Sequence, residues 1–316
     1  MSSSRGLHVG ILAALSSAFL LGLAPVFGRW AILSGFSPLL TVALRTGLAA
    51  VMIFLILLLF RRQFLYIFPV GLFGCFLAGA INGLGSLFYY VSLSELPASV
   101  GQLLYALYPV FVALFSVLDK QTISRLTILR MALAFLAVLL LVTPNNGQSL
   151  ALWAVLMMIG SAALYALHIP INQRVLYEIP APTVTFYTLL AMSLVTVPVY
   201  LIFDRQLPGE DAMWMPVILL TLVTFASRFT LFLGIKKIGG VQTALLGLAE
   251  IFITILVSYI LLNEMLSTIQ WVGAAILGTT LILAAFERPD NSRPKGGWLA
   301  WIHPPQIAPI PWNLDE

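Results

Sequence analysis

Three charged side chains stand out deep within long apolar segments of the chain: Arg45, Arg228 and Glu250. Such a residue near the middle of a bilayer costs roughly 2.5–3.5 kcal/mol on insertion scales, so it usually faces a partner or a wet cavity. Counted along helices that rise about 1.5 Å per residue, Glu250 lies about 15 Å and Arg228 about 12 Å from one side of the membrane, and Arg45 about 24 Å from it. The spacing predicts that Arg228 and Glu250 share one depth.

Two interpretations of Arg228 and Glu250 remain open at this point. Opposite charges buried together offset much of each other's desolvation, so the two can form a purely structural ion pair. Alternatively they belong to a binding site, in which Glu250 either loads and releases protons or stays charged and holds a substrate amine. The sequence does not decide between these roles.

Polar residues recur at helical spacing on four apolar segments, and in lipid such stripes belong on inward faces. The stripes are Ser161, Tyr165, His168 and Asn172; Asn82, Ser86 and Tyr89; Gln102, Tyr105 and Pro109; and Thr243, Gly247, Glu250 and Thr254. A cavity lined by aromatic rings, amides and a few charges suits a small amphipathic or zwitterionic ligand. The predicted ligand-binding residues are Arg45, Asn82, Tyr89, Gln102, Tyr105, Tyr165, His168, Arg228 and Glu250.

Several of these residues also have a plainer explanation. A single tyrosine is often a packing residue or an interface anchor. His168 is either a hydrogen-bonded structural histidine or, given the usual pKa of the side chain, a proton sensor. The glycines of the third apolar segment, among them Gly79 and Gly83, favour close helix packing over ligand binding.

The composition requires lipid around these segments. Of the 316 residues, 60% are hydrophobic and 9% are charged, against roughly 45–50% and 25% in soluble domains. A bilayer needs about 20 apolar residues per helix. The sequence therefore predicts an all-α membrane protein with ten transmembrane helices, near 9–28, 36–60, 67–92, 97–118, 127–143, 150–173, 183–203, 213–235, 240–262 and 268–286.

The ten segments divide into two sets of five, at residues 1–143 and 150–286. A unit of five spans ends on the side opposite its start, so the second unit is predicted to be inverted with respect to the first. Pro25 and Pro170 occupy matching places in the first and sixth segments and would free the carbonyls of Leu21 and Ala166. We expect these two prolines to take part in gating.

Basic residues between the segments predict the orientation. If the N-terminus is cytoplasmic, Arg29 and Arg205 lie on the outer side of the membrane, and the remaining arginines and lysines of the loops lie on the cytoplasmic side. Both termini are therefore predicted to be cytoplasmic. The basic residues are scattered rather than clustered, which disfavours nucleic acid as a partner. The single Cys75 excludes an internal disulfide.

Several placed motifs resemble the EamA-like branch of the drug/metabolite transporter superfamily. They are residues 40–50 around Arg45, 105–111 from Tyr105, 248–252 around Glu250, 262–264 ending in Glu264, and 271–277. The resemblance covers nearly everything up to Phe286. It implies a ten-helix carrier of the bacterial cytoplasmic membrane, often an exporter of amino acids or related metabolites, that works by alternating access.

The alternative is an intramembrane enzyme or translocase acting on lipid-linked substrates. An enzyme needs a nucleophile, a general base or metal ligands within reach of each other. The sequence has no HExxH, no paired aspartates and no serine elbow, and His168 has no metal-ligand spacing. The sequence therefore predicts that the protein is not an enzyme and holds no cofactor or metal. The predicted partners are a lipid bilayer, a small solute and protons. Residues 287–316 are predicted to form a cytoplasmic tail containing tryptophan and proline.

Overall fold

The computed structural model describes residues 2–118, 125–143, 150–210, 212–239, 243, 246–247 and 249–285. Within these ranges every regular element is helical. The helices are α1 (Ser2–Leu33), α2 (Pro38–Phe60), α3 (Pro69–Leu93), α4 (Ala98–Tyr105), α5 (Tyr108–Leu118), α6 (Arg125–Leu141), α7 (Leu152–Leu176), α8 (Ala181–Phe203), α9 (Met215–Ile238), α10 (Ala249–Leu262) and α11 (Thr268–Ala285). The predicted tail at 287–316 lies outside the described residues.

Six helices are long and apolar enough to cross a membrane: α1, α2, α3, α7, α8 and α9. Shorter apolar helices cover parts of the other predicted spans, at Ala98–Val112, Ala132–Leu141 and Ala249–Leu262. The fourth predicted span is interrupted, because a turn at Ala106 and Leu107 separates α4 from α5. A short 3-10 helix at Arg62–Leu65 follows α2. If α4 and α5 are taken as one interrupted segment, the described residues form ten α-helical segments, the number that the sequence predicts.

Local sequence sets several helix ends. Proline occupies the first or second position of α2, α3, α8 and α9, where its missing N–H has no helical acceptor to lose. Ser37 caps α2, because its side chain accepts a hydrogen bond from the Leu40 N–H at 3.1 Å. Gly239 ends α9 with a φ of 85°, a conformation that disfavours residues with a Cβ.

The helices of the two predicted halves pack mainly against each other. Helix α1 packs on α9 and α10, α3 packs on α7 and α8, α2 packs on α8 and α9, and α6 packs on α11. Small residues permit the close crossings. A Cβ on Gly22 of α1 would lie 2.6 Å from the Glu250 carbonyl oxygen of α10. Helix α1 therefore packs directly on the α10 backbone at Glu250, in the first turn of α10.

The outer surface of the helices is apolar. Large hydrophobic side chains such as Phe60, Phe203 and Phe252 are about three-quarters exposed, as expected where lipid replaces water. The polar stripes point the other way: Asn82, Ser86, Gln102, Ser161, His168 and Asn172 are all buried. The fold therefore places the predicted candidates between helices rather than on the surface.

Candidate functional site

A central cavity of about 50 Å³ lies between α1, α2, α3, α4, α7, α9 and α10. Seven of the nine predicted ligand-binding residues line it, namely Arg45, Tyr89, Gln102, Tyr105, Tyr165, Arg228 and Glu250. Pro25 of α1 lines it as well. Asn82 and His168 lie outside the lining, and the roles predicted for these nine residues stay predictions.

Arg45 lies on one wall of the cavity with neutral partners. Its Nη2 donates a hydrogen bond to Ser86 Oγ at 2.9 Å. Its guanidinium carbon lies 4.6 Å from the centroid of the Tyr90 ring, a cation–π contact. The Nε of Arg45 and the hydroxyl of Tyr90 are both buried and have no hydrogen-bond partner in the described part of the protein. Both residues that line the cavity here thus keep a donor without a partner among the described residues.

Arg228 is positioned from outside the lining by Asn82. In the amide orientation that satisfies both groups, Asn82 Oδ1 accepts hydrogen bonds from Nη1 and Nη2 of Arg228, each at 3.0 Å. The guanidinium carbon lies 5.8 Å from the centroid of the Tyr165 ring. Asn82 therefore supports the cavity through Arg228 rather than by contact with its contents.

Glu250 supplies the single carboxylate of the cavity lining. Gln102 Oε1 accepts a hydrogen bond from the Tyr89 hydroxyl at 3.1 Å, which leaves the Gln102 amide nitrogen to donate to the Glu250 carboxylate. Oε1 of Glu250 is buried without a hydrogen-bond partner among the described residues. The carboxylate therefore keeps one acceptor free at the cavity.

Four tyrosines from α3, α4, α5 and α7 contact one another along the cavity. The ring centroids of Tyr89 and Tyr105 lie 4.9 Å apart, those of Tyr105 and Tyr165 lie 5.2 Å apart, and those of Tyr108 and Tyr165 lie 5.0 Å apart. Such edge and tilted contacts are favourable for aromatic pairs. Three of these rings, Tyr89, Tyr105 and Tyr165, line the cavity.

A second void of about 10 Å³ lies next to the cavity, between α1, α5, α7, α9 and the residues before α10. Leu21 and Tyr165 line both spaces. Pro25 has no N–H, so the Leu21 carbonyl lacks its usual helical donor. Helices α1 and α7 nevertheless continue through Pro25 and Pro170.

His168 contacts Tyr165, with ring centroids 4.5 Å apart, but does not line the cavity. Its Nδ1 is 2.5 Å from the Tyr165 carbonyl oxygen, and its Nε2 is buried without a partner in the described residues. Asn172 donates to the His168 carbonyl at 3.1 Å. The polar stripe of α7 thus divides, with Ser161 and Tyr165 at the cavity and His168 and Asn172 packed beyond it.

The comparison with known families rests on nearly the whole chain. The sequence model of the EamA-like transporter family matches residues 8–143 and again residues 152–286. The chain belongs to the EamA-like transporter family. Each match falls on one of the two predicted sets of five segments.

Two curated relatives of this EamA-like protein are described as uncharacterized transporters. One, from Synechocystis sp., is 25% identical over 216 residues, which are 65% of this chain and 64% of the relative. The other, from Archaeoglobus fulgidus, is 26% identical over 197 residues, which are 62% of this chain and 70% of the relative. The chain therefore matches less than two thirds of the length of the first relative.

A solved crystal structure of a protein without a functional description also resembles this EamA-like chain. The TM-score is 0.62 at 18% sequence identity, and the match covers 87% of this chain and 96% of the other. At this identity the likeness concerns the fold alone.

The sequence interpretation missed one cavity residue with a distinctive role. Tyr90 lines the cavity, its ring lies against the Arg45 guanidinium, and its buried hydroxyl has no hydrogen-bond partner among the described residues. It stands four residues after Ser86 and eight after Asn82, so the same helical spacing that selected those residues would have found it. The prediction took Tyr89 alone, although both tyrosines line the cavity.

In the described part of this EamA-like protein, no three His, Cys, Asp or Glu residues form a group that could hold a metal ion.

Proposed function

We propose that the protein is a secondary transporter, an exporter of small amphipathic or zwitterionic metabolites such as amino acids. The observation that carries the proposal is one buried cavity lined by Glu250, by two arginines and by aromatic rings, in which Oε1 of Glu250 has no hydrogen-bond partner among the described residues. Such a lining offers an acceptor for an ammonium group, donors for a carboxylate and rings for an apolar side chain. Membership of the EamA-like family favours a carrier over the intramembrane enzyme or translocase.

The carrier would work by alternating access between two inverted repeats, 1–143 and 150–286. The helix packing supports this arrangement. If each segment is exchanged with its counterpart in the other half, the packing of α1 on α9 becomes that of α7 on α3. The same exchange converts the packing of α2 on α9 into the packing of α8 on α3. It leaves the packing of α2 on α8 and of α6 on α11 unchanged.

The described conformation corresponds to a closed state of this cycle. Ligand-binding cavities usually measure roughly 300–1,000 Å³, whereas the central cavity holds about 50 Å³, enough for water only. A metabolite would enter after the helices separate. Leu21 and Tyr165, which border both voids, would form the barrier between them, and Pro25 and Pro170 would let their helices bend as it opens.

Glu250 would couple transport to protons. Its unpartnered Oε1 can take a proton or a substrate ammonium, so that loading one releases the other.

The protein would lie in the bacterial cytoplasmic membrane with both termini in the cytoplasm, as the distribution of basic residues between the segments predicts. Residues 287–316 would then form a cytoplasmic tail.

Reconstitution into liposomes tests this function. A mixture of radiolabelled amino acids should enter proteoliposomes that carry an imposed pH gradient, and protein-free liposomes should take up none. Glu250→Gln should abolish the pH-driven part of the uptake. Glu210→Gln, which removes the same charge from an exposed loop residue, should leave it unchanged.

The possible results separate the two parts of the proposal. No uptake of any amino acid would contradict the amino-acid carrier. Uptake that persists at the full pH-driven rate in Glu250→Gln would leave the carrier intact and eliminate the proton role of Glu250.

A further inference from the structure

The charges that face the central cavity do not balance. Arg45 and Arg228 each contribute a positive charge, and Glu250 contributes the single negative one. All three side chains are more than 90% buried. Glu250 is also the one Asp or Glu within the predicted spans. With Glu250 ionised, the lining carries a net charge of about +1.

Among the described residues, no second acidic side chain lines the cavity to balance this excess charge. Arg45 is held by Ser86 and Tyr90, and Arg228 is held by Asn82, all of which are neutral. A buried charge is stable only when a partner of opposite sign or a set of hydrogen bonds replaces its lost hydration. The ligand is the component that can complete the balance when the cavity is occupied.

Unpartnered atoms indicate where the ligand's charged groups would bind. Arg45 lines the cavity, and its Nε is a buried donor without a partner among the described residues, from which a carboxylate could accept a hydrogen bond. The free Oε1 of Glu250 is a buried acceptor, as an ammonium group requires. Arg228 would provide the binding partner for a second carboxylate.

We propose that the physiological ligand is a net anionic amino dicarboxylate, with two carboxylates and one ammonium group. This inference rests on the proposed carrier function and narrows its substrate class. Each charged group of such a ligand meets one group of opposite charge, and the occupied site is neutral. A zwitterion with a neutral side chain leaves one arginine unpaired, and a cationic amino acid leaves more positive charge than the empty site.

Pairs of nearly isosteric amino acids test the charge directly. Proteoliposomes loaded with unlabelled amino acid and kept without a pH gradient would be given radiolabelled L-glutamate, L-aspartate, L-glutamine, L-asparagine or L-lysine. Glutamate and aspartate should exchange at least about tenfold faster than their amides, because the amides leave a buried arginine without its charged partner. Lysine should exchange slowest.

The outcomes separate this inference from the function on which it rests. If the amides exchange as fast as the acids or faster, the charge inference is wrong while the amino-acid carrier stands. If none of the five compounds and no other amino acid exchanges, the carrier itself is contradicted. An acid preference below about tenfold counts against the inference.

Changing the charge of the lining should change the preference. Arg45→Gln brings the lining to neutrality with Glu250 ionised, so the variant should prefer glutamine to glutamate. Arg45→Lys keeps the charge and should keep the preference for glutamate. Arg62→Gln removes the same charge from an exposed side chain and should match the wild type. A glutamate preference that survives in Arg45→Gln contradicts the inference. If that variant does not fold, the exchange rates of the acids and their amides in the wild type decide alone.

Discussion

Asn82 of α3 accepts two hydrogen bonds from Arg228 of α9, at 3.0 Å from each terminal guanidinium nitrogen. The two residues come from different halves of the chain and are both buried. A neutral amide therefore orients the guanidinium, and the carboxylate of Glu250 keeps an oxygen free. A buried arginine held in this way retains its charge for a ligand.

Replacing this acceptor should destabilise the protein. Asn82→Leu leaves the terminal nitrogens of Arg228 buried without their partner, which we expect to lower the free energy of unfolding by about 1–3 kcal/mol. Thermal melting of the purified protein in detergent measures the effect. Gln63→Leu removes an exposed amide of the same type and should change the melting temperature little. An equal effect of both changes would show that the Asn82 amide does not hold Arg228.

Glu264 ties the loop after α10 to the start of α4. Its Oε1 accepts a hydrogen bond from the Ala98 N–H at 3.1 Å, and its Oε2 accepts one from the Ser99 N–H at 3.2 Å. Burial of the carboxyl raises the pKa of Glu264 above its ordinary value of 4.5, and these backbone hydrogen bonds lower it in part. The net direction is upward.

This shift predicts how stability depends on pH. Because the pKa is higher in the folded state, the contribution of Glu264 is fully present below its ordinary pKa and is lost as the pH rises through the folded-state pKa. The melting temperature of the wild type should therefore fall relative to that of Glu264→Gln as the pH rises from 4.5 through the folded-state pKa. Since Gln does not titrate, the difference between the two proteins isolates this one group. A difference that stays constant over this range would contradict the raised pKa.

Much of the cavity could be predicted from periodicity and depth. Spacing along α3, α4 and α7 selected Tyr89, Gln102, Tyr105 and Tyr165, because polar groups in lipid must turn inward. Counting depth placed Arg228 and Glu250 on one level, and both line the cavity. The same count placed Arg45 nearer the opposite side, yet its side chain reaches the same cavity, because a long arginine extends well beyond its own backbone level.

Two features depend on tertiary packing and were not predicted from the sequence, namely the partner of Arg228 and the break in the fourth span. The partner of Arg228 lies in the other half of the chain, and no local spacing relates Asn82 to it. The break in the fourth span also went unpredicted. Pro109 has no N–H to donate to the Tyr105 carbonyl, and α4 ends at Tyr105. Pro25 and Pro170, by contrast, lie within continuous helices.

Gly79 allows α3 to contact α8 closely, which gives a third prediction. A Cβ at this position would lie 2.5 Å from the Ala191 Cβ and 2.6 Å from the Thr188 carbonyl oxygen. Because backbone cannot move aside as a side chain can, Gly79→Ala should lower the free energy of unfolding by about 1–3 kcal/mol. Unfolding in denaturant, followed by tryptophan fluorescence, would measure it.

Gly278 provides the matched control for this substitution. It is a helical glycine in α11, and a Cβ there would meet no heavy atom within 4 Å. Gly278→Ala should therefore be neutral or stabilise the protein by about 0.5–1 kcal/mol through its better helix propensity. Equal stability changes in the two variants would argue against close packing as the role of Gly79.

The proposed bending of α1 and α7 gives a fourth prediction. Pro25→Ala would restore an N–H that can donate to the Leu21 carbonyl, and Pro170→Ala would do the same for Ala166. Each restored hydrogen bond stabilises the straight helix by about 1 kcal/mol. If the helices must bend to open the cavity, exchange across proteoliposomes should slow by about fivefold while the melting temperature rises.

Pro198 of α8 is the control for these variants, because it is also a proline inside a helix but lines neither void. Pro198→Ala should raise the melting temperature in the same way and leave the exchange rate unchanged. Slower exchange in all three variants would mean that any added rigidity impedes the carrier. Unchanged exchange in Pro25→Ala and Pro170→Ala would rule out their role in gating. A loss confined to those two would assign the opening movement to the matching prolines of α1 and α7, since stability alone would then fail to explain the rates.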